Sequence, residues 1–323
     1  MTYQPPFTIS PHIITLIAQI SVAVGRLSAF GDSEKALNLR RINRVRTIRG
    51  SLAIEGNTLS EAQITAILAG KHIVAPPREI QEVRNAMAAY DGLDKWRPDV
   101  EKDLLTAHRV LMAGLIDESG AYRSGGVGVM AGAEVVHMAP PAKRVPELMR
   151  DLLRWVKNSD QHPLIVGSVF HYEFEFIHPF ADGNGRMGRL WQSLILSKWN
   201  LLFADMPVES LIYAHQDEYY QALQEATEQS DSGCFITFML TMILDAVRKT
   251  DQVDAQVSDQ VEKLLAVMGD GWFSTQDMMA LLGLSHKATF RKNYLRPALA
   301  TGFVVMKDPD SPRSPRQKYR KVM

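Results

Sequence analysis

Cysteine is almost absent from this chain: a single thiol, Cys234, excludes an intrachain disulfide and any thiolate metal cluster. Its apolar neighbours Phe235, Ile236 and Phe238 predict a buried structural side chain rather than a nucleophile. No apolar run approaches the roughly 18 residues of a membrane span, and the first ten residues, with Pro5 and Pro6 and no leading positive charge, do not read as a secretion signal. The expected location is therefore the cytoplasm, with no membrane association. Familiar nucleotide and metal signatures are missing too. There is no Gly-x-x-x-x-Gly-Lys-Ser/Thr and no set of protein-kinase motifs, and there is no His-Glu-x-x-His. His171 and His178 stand seven apart without a nearby third ligand, which argues against zinc. Net charge is absent as well, with 36 Lys and Arg against 36 Asp and Glu, but its distribution is uneven. From Ser285 to Met323 ten Lys or Arg face only two acids.

What remains is 323 residues of ordinary globular composition, 46% hydrophobic and 22% charged, long enough for two or more units. Apolar residues recur at helical spacing through most of it, so the expected fold class is mainly α. Ile13, Leu16, Ile17, Ile20 and Val24 form one stripe that starts near Ser10-Pro11 and is interrupted by Gly31. A second helix is expected from about Ser33 to Ile54; its Arg40, Arg41, Arg44, Arg46 and Arg49 read as a solvated face. Thr58 followed by Glu61 predicts a capping box, with Gly70 as the stop of that short helix. Between Gly120 and Pro141 the pattern becomes β: Tyr122, Val127, Val129, Val135, Val136 and Met138 alternate around several glycines, predicting a hairpin. Gly126-x-Gly128-x-x-Ala131 mimics a dinucleotide fingerprint, but no strand-to-helix unit surrounds it. Helical periodicity returns from Val145 to about Val247, and polar Lys249 to Gln260 reads as a linker or an exposed helix. Three short helices and two strands are expected over 261–323, the order of a winged helix-turn-helix. His286, Lys287, Arg291, Lys292 and Arg296 on its last helix, with Arg313 and Arg316 at the tip, could bind phosphates of DNA; a protein-interaction or dimerisation module is the alternative.

The densest chemistry lies in residues 178–189, His-Pro-Phe-Ala-Asp-Gly-Asn-Gly-Arg-Met-Gly-Arg. Gly183, Asn184 and Gly185 carry little bulk, so backbone N–H groups can approach an anion at the start of the helix that continues through Leu190 to Leu196. His178 is a candidate general base, since an unperturbed imidazole is largely neutral near pH 7. Asp182 offers hard oxygens suited to Mg²⁺, which binds phosphates through few protein ligands. Arg186 and Arg189, three apart on one helix turn, can both fork onto phosphate oxygens. Phe180 is expected to anchor the loop in the core.

This run resembles the signature of the Fic family, His-x-Phe-x-Asp/Glu-Gly-Asn-Gly-Arg-x-x-Arg, at every fixed position. The resemblance extends over about residues 1–250. It implies a Fic-type helical core at 101–248 behind an N-terminal helical region at 1–100, with a flap at 120–141 and a linker at 249–260 before the winged-helix module. It also implies transfer of AMP from ATP to a Ser, Thr or Tyr hydroxyl of a protein, with His178 as base, Asp182 holding Mg²⁺, Gly183 to Gly185 cradling phosphates, and Arg186 and Arg189 binding the remaining charge. Val127, Gly128 and Val129 of the flap and the pair Tyr219-Tyr220 are implied nucleotide contacts. Thr227, eight residues after Tyr219, stands where the family often has Asn. A hairpin edge can receive an extended target segment by strand addition, and Val135, Val136, His137 and Met138 are the expected edge.

Ser51-Leu-Ala-Ile-Glu55-Gly56-Asn57 is similar to the family's inhibitory pattern, which implies that Glu55 pairs with Arg189 and displaces the γ-phosphate. A carboxylate in the guanidinium fork leaves nothing there for phosphate. Related enzymes can use that glutamate to position water and remove AMP, so demodification is one alternative. An ATP-sensing DNA-binding regulator that never turns over is another, and a nucleotide other than ATP is a third. A homodimer would be unsurprising for the family.

Overall fold

The computed structural model describes residues 3–28, 34–126, 128–131, 134–256, 259–300, 303–309, 311–312 and 314–322. Gly31, Val127, Gly132 and Arg313, all named above, lie outside them. Two units divide the chain: Met1–Ser28 with Asn43–Val247, and Ala29–Ile42 with Arg248–Met323.

In the larger unit α1 (Pro11–Ser28) buries Ile13, Leu16, Ile20, Val24 and Leu27, the three-and-four spacing of its sequence. At 18 residues and mean hydropathy 1.2 this helix is long and apolar enough to cross a membrane by length and composition, contrary to the expectation that no segment is. α2 (Glu34–Ile54) is the expected second helix, and its part from Asn43 belongs to this unit. The arginine face is not simply solvated, for Arg44 pairs with Asp205 at 2.8 Å and Arg49 lies over the Tyr213 ring. Gly50 is required inside α2 because a β-carbon there would lie 2.5 Å from the backbone nitrogen of Ser210. The cap of α3 (Glu61–Leu68) corrects the sequence expectation: Ser60 and Gln63 form the capping box. Thr58 is drawn instead to Glu79, which accepts from its N–H at 2.8 Å and its hydroxyl at 2.9 Å.

α4 (Pro77–Tyr90) and α5 (Glu101–Leu111) lead to the hairpin, where β1 (Gly128–Ala131) runs antiparallel to β2 (Glu134–Met138), with Gly128 opposite Met138 and a bulge between Val129 and Met130. α6 (Val145–Asn158), α7 (Pro163–Ile177) and α8 (Asn184–Trp199) follow, then α9 (Val208–Ala214), α10 (Gln216–Gln229) and α11 (Gly233–Gln256). α7 is buried from Leu164 to Glu175, and α8 nearly throughout. This pair forms the rigid floor on which the 178–183 loop sits. Cys234 is half-buried rather than buried, its thiol 3.7 Å from the Ala222 carbonyl.

The 249–260 stretch is mostly helix: α11 continues to Gln256 and α12 (Asp259–Val267) begins the second unit's own core, built from Val261, Leu264, Met278, Phe290, Leu295, Ala298, Phe303, Val304 and Tyr319. α13 (Thr275–Leu281) is capped by Ser274 with Asp277. The expected last helix is α14 (Lys287–Phe290), a π turn (Arg291–Leu295) and α15 (Arg296–Ala300) in series. Pro297 has no N–H for the carbonyl four residues back, and a wider turn just before it accommodates the ring. β3 (Val304–Met306) pairs antiparallel with β4 (Tyr319–Lys321), and Phe273 bridges to Tyr319.

Candidate active site

α7 ends where the sequence says it must, because Pro179 cannot continue a helix and disfavours helical geometry in the residue before it. His178 is that residue, and it sits in the left-handed region at φ 50, ψ 62. Its N–H still donates to the Phe174 carbonyl at 2.9 Å, so the histidine caps the buried helix and is carried by it. Nδ1 lies 3.3 Å from the Glu175 carbonyl. A carbonyl only accepts, so this contact puts the imidazole proton on Nδ1 and the basic lone pair on Nε2.

The loop after His178 is fixed from several sides. Phe180 is fully buried, as expected, and stacks on His108 at 3.6 Å with 3° between planes. His108 accepts from the Gly120 N–H at 2.8 Å through Nδ1, so its Nε2 donates to the Asp182 carbonyl at 3.0 Å. Burial pushes the His108 imidazole down to about 4, which keeps it neutral. The Asn184 side chain is buried and latches Phe180, accepting from its N–H and donating to its carbonyl, each at 2.9 Å, so only the backbone of this residue is left for the expected cradle. Gly183 has φ 82, and a β-carbon there would lie 2.6 Å from the Met112 sulfur. Only glycine can start α8 at this place. The backbone N–H groups of the first turn of α8 then point out of the helix end toward the loop.

Asp182 is part-exposed. Its Oδ1 accepts from the Gly183 N–H at 2.6 Å and from Arg186 at 3.0 Å, and its Oδ2 is 3.5 Å from Arg78. Arg186 also lies 3.7 Å from Glu82, whose other oxygen accepts from Asn57 at 2.9 Å. Arg189 is 2% exposed. It donates to the Ser51 carbonyl at 3.0 Å, to the Ser51 hydroxyl at 3.3 Å and to Glu55 at 2.7 Å. Burial is the largest influence and opposes its charge, but Glu55, Tyr219 and Glu175 together outweigh it and hold the guanidinium above its ordinary value. Gly185 makes the pair possible, since a β-carbon there would lie 2.5 Å from Glu55 Oε1. Glu55 itself follows the last turn of α2, and Gly56, at φ 89, turns the chain away.

Ser51 and Glu55 are thus brought to Arg189, with Gly56 as the turn that follows, and His178, Asp182 and Gly183 to Arg189 occupy one loop and helix end. Tyr219 is not open to a ligand: it is 2% exposed, with its hydroxyl 3.1 Å from His171 Nε2. His171 donates through Nδ1 to Gln192 at 2.6 Å and is held down to about 3 by burial. Tyr220 is half-buried, its hydroxyl 3.5 Å from Gln216. Thr227 pairs with the Tyr172 hydroxyl at 3.2 Å. Val127 lies outside the described residues; Gly128 and Val129 are in β1, and Val135, Val136, His137 and Met138 are in β2, paired on one side by β1.

Sequence reasoning missed His108, Glu175, Arg78 and Glu82. Glu175, one helical turn before His178, is buried with its carboxylate 3.9 Å from both the His178 and His171 rings, and burial pushes it up to about 8. Two glutamates, Glu173 and Glu175, alternating with aromatic residues in the stretch Val169 to Ile177 were the available signal.

The Fic/DOC family profile matches residues 97–196, and that of the Filamentation induced by cAMP protein Fic-like C-terminal domain matches residues 259–321. A Fic family protein of known crystal structure from Desulfovibrio desulfuricans is 54% identical, with a TM-score of 0.75 over 99% of this chain and 98% of that one. Fic-1 from C. elegans shares the fold, with TM-score 0.60 and 23% identity over 76% of this chain and 73% of that one. Proteins named Protein adenylyltransferase Fic from Aedes aegypti and Drosophila melanogaster are each 31% identical over 66% and 69% of this chain. The chain spans only 43% and 45% of their lengths.

Proposed function

Because this chain belongs to the Fic family, we propose that it is a protein adenylyltransferase, moving AMP from ATP to a protein hydroxyl, and that Glu55 holds it off. The observation that carries the reading is the unbroken run from His178 to Arg189, folded as one loop and helix end with a buried arginine at its base. The names of the curated relatives support the reaction class.

In this reading a target Ser, Thr or Tyr oxygen attacks the α-phosphorus of ATP. The new bond is O–P, the bond to the β-phosphate oxygen breaks, and pyrophosphate leaves. His178 Nε2 takes the hydroxyl proton, in the tautomer its Nδ1 contact selects. The N-terminal N–H groups of α8 face the phosphates, and Arg186 and Arg189 supply positive charge that needs no reorganisation at the moment of reaction. One part-exposed carboxylate beside an anion site fits Mg²⁺, which characteristically takes one or two carboxylates plus substrate phosphates. Asp182 would hold it, and the ion would neutralise phosphate charge when bound.

Glu55 occupies the arm of Arg189 that a terminal phosphate would need. One anion excludes the other, so the brake is competitive in charge as well as in space. The test is incubation with α-labelled ATP and detection of AMP on the chain itself or on lysate proteins. Glu55→Gly raises incorporation by about tenfold or more, a change of about 1.4 kcal/mol, and His178→Ala abolishes it in either background. Equal labelling by the parent and the Glu55 variant sinks the brake, and labelling that survives His178→Ala sinks the base. Glu55 is partly exposed, which also suits a carboxylate that positions water to remove AMP; loss of demodification in Glu55→Gly, assayed on AMP-modified protein, identifies that activity.

A further inference from the structure

Arg123 lies just before the hairpin, and its side chain reaches four backbone carbonyls from three places in the chain. Nε donates to His178 at 2.7 Å, Nη1 to Gly125 at 2.8 Å, and Nη2 to Pro140 at 2.5 Å and to Ile177 at 3.3 Å. Its own backbone N–H donates to the Pro179 carbonyl at 2.9 Å. The residue is 4% exposed.

Gly125 and Pro140 are the two roots of the hairpin, one before β1 and the other after β2. Ile177, His178 and Pro179 are consecutive, and they span the point where α7 stops and the backbone turns left-handed. Carbonyls at a helix C-terminus have no intrahelical donor, and a cation there also meets the negative end of the helix dipole. The guanidinium supplies both needs from a planar fork whose donor directions are fixed. A lysine ammonium could carry the charge but could not reach these separate directions together.

We propose that Arg123 is a positioning residue that registers the hairpin flap against His178, so that the direction of the imidazole and the placement of the flap roots are set by one group. This rests on the reading of His178 as the base and of the flap as the edge that receives the target. The residue acts through the backbone of His178. A base displaced by about an ångström loses on the order of a hundredfold in rate, whereas none of the four carbonyls that the Arg123 side chain holds belongs to α8, where the phosphates are proposed to sit.

The test uses the full chain, labelled with ¹³C in the histidine rings, the His178 signal being assigned by its loss in His178→Ala. In Arg123→Ala that signal shifts or splits while the His162 signal does not, and guanidinium ion at sub-denaturing concentration returns it. In the Glu55→Gly background, Arg123→Ala lowers kcat for AMP incorporation roughly a hundredfold and leaves the calorimetric Kd for ATP within about threefold, with kcat partly restored by guanidinium. Arg123→Lys gives the same shift and loss without rescue, and it carries the comparison if the alanine variant does not fold. A folded Arg123 variant with the parental His178 signal overturns the proposal, as does a loss of ATP affinity equal to the loss of kcat. If the His178 signal moves and is rescued but Glu55→Gly itself never incorporates AMP, the positioning role stands and the proposed reaction falls.

Discussion

The loop at 178–183 and the turn at 51–57 both lead to Arg189, and they are held by opposite means. The loop is determined many times over: Asn184 latches Phe180 twice, His108 stacks on Phe180 and binds the Asp182 carbonyl, and Gly183 fits against Met112 with no room for a side chain. The turn meets Arg189 through one carboxylate that is 32% exposed and through Ser51 behind it. In the proposed reading, the side that carries the base is fixed by many contacts, and the side that carries the brake meets the arginine through one carboxylate that a phosphate could replace. A buried guanidinium needs an anionic partner, but Glu55 and a nucleotide phosphate serve equally in kind.

Breaking the permanent side has the largest effect. Asn184→Ala removes both partners of the Phe180 backbone inside the core, a cost of about 2–4 kcal/mol, and is expected to lower Tm by several degrees. An unchanged melting curve would show that the latch is dispensable. Breaking the releasable side costs less in the absence of nucleotide, about 1–2 kcal/mol after allowance for exposure of the carboxylate. Glu55→Gly should therefore melt slightly earlier than the parent, and Mg-ATP should raise its Tm by more than it raises that of the parent, because ATP no longer displaces an internal anion. Equal shifts would mean that Glu55 does not compete with the nucleotide.

A smaller effect sharpens the comparison from beneath the base. Glu175 is raised from its ordinary 4.5 to about 8, by burial first, with Arg189 opposing and Glu55 reinforcing the rise. His171, His178 and Tyr219 also face it. A raised carboxylate favours the folded state fully below its unfolded value, and that contribution is lost as pH climbs through the folded one. Between pH 4.5 and about 8, therefore, the parent should lose stability relative to Glu175→Gln. Urea midpoints measured across that window check the sign, and parallel profiles would refute it.

Some of this was legible in the chain because it depends on local rules. Pro179 after a long apolar run dictates a helix stop at His178, and Gly183 marks the restart. The stripe of α1, the hairpin and the helices and ribbon of the second unit follow from periodicity and turn residues in the same way. The cap of α3 was misplaced because Glu79, about twenty residues downstream, claims Thr58. Long-range competition of that kind leaves no local mark. Tyr219 was placed beside the nucleotide, but a hydrogen bond to His171 and burial keep it in the core.

The sequence by itself determined the chemistry available: a base, a carboxylate, a glycine-lined helix start and two arginines within twelve residues. It also supplied a second carboxylate, Glu55, 134 residues from Arg189. Only the tertiary structure decided that these meet at 2.7 Å, that Gly185 leaves the space for them, and that Arg123 joins both roots of the flap to the backbone of His178. Residue types and spacing set what each group can do. Which anion a buried arginine holds is set by the packing that removes water around it and leaves one direction open.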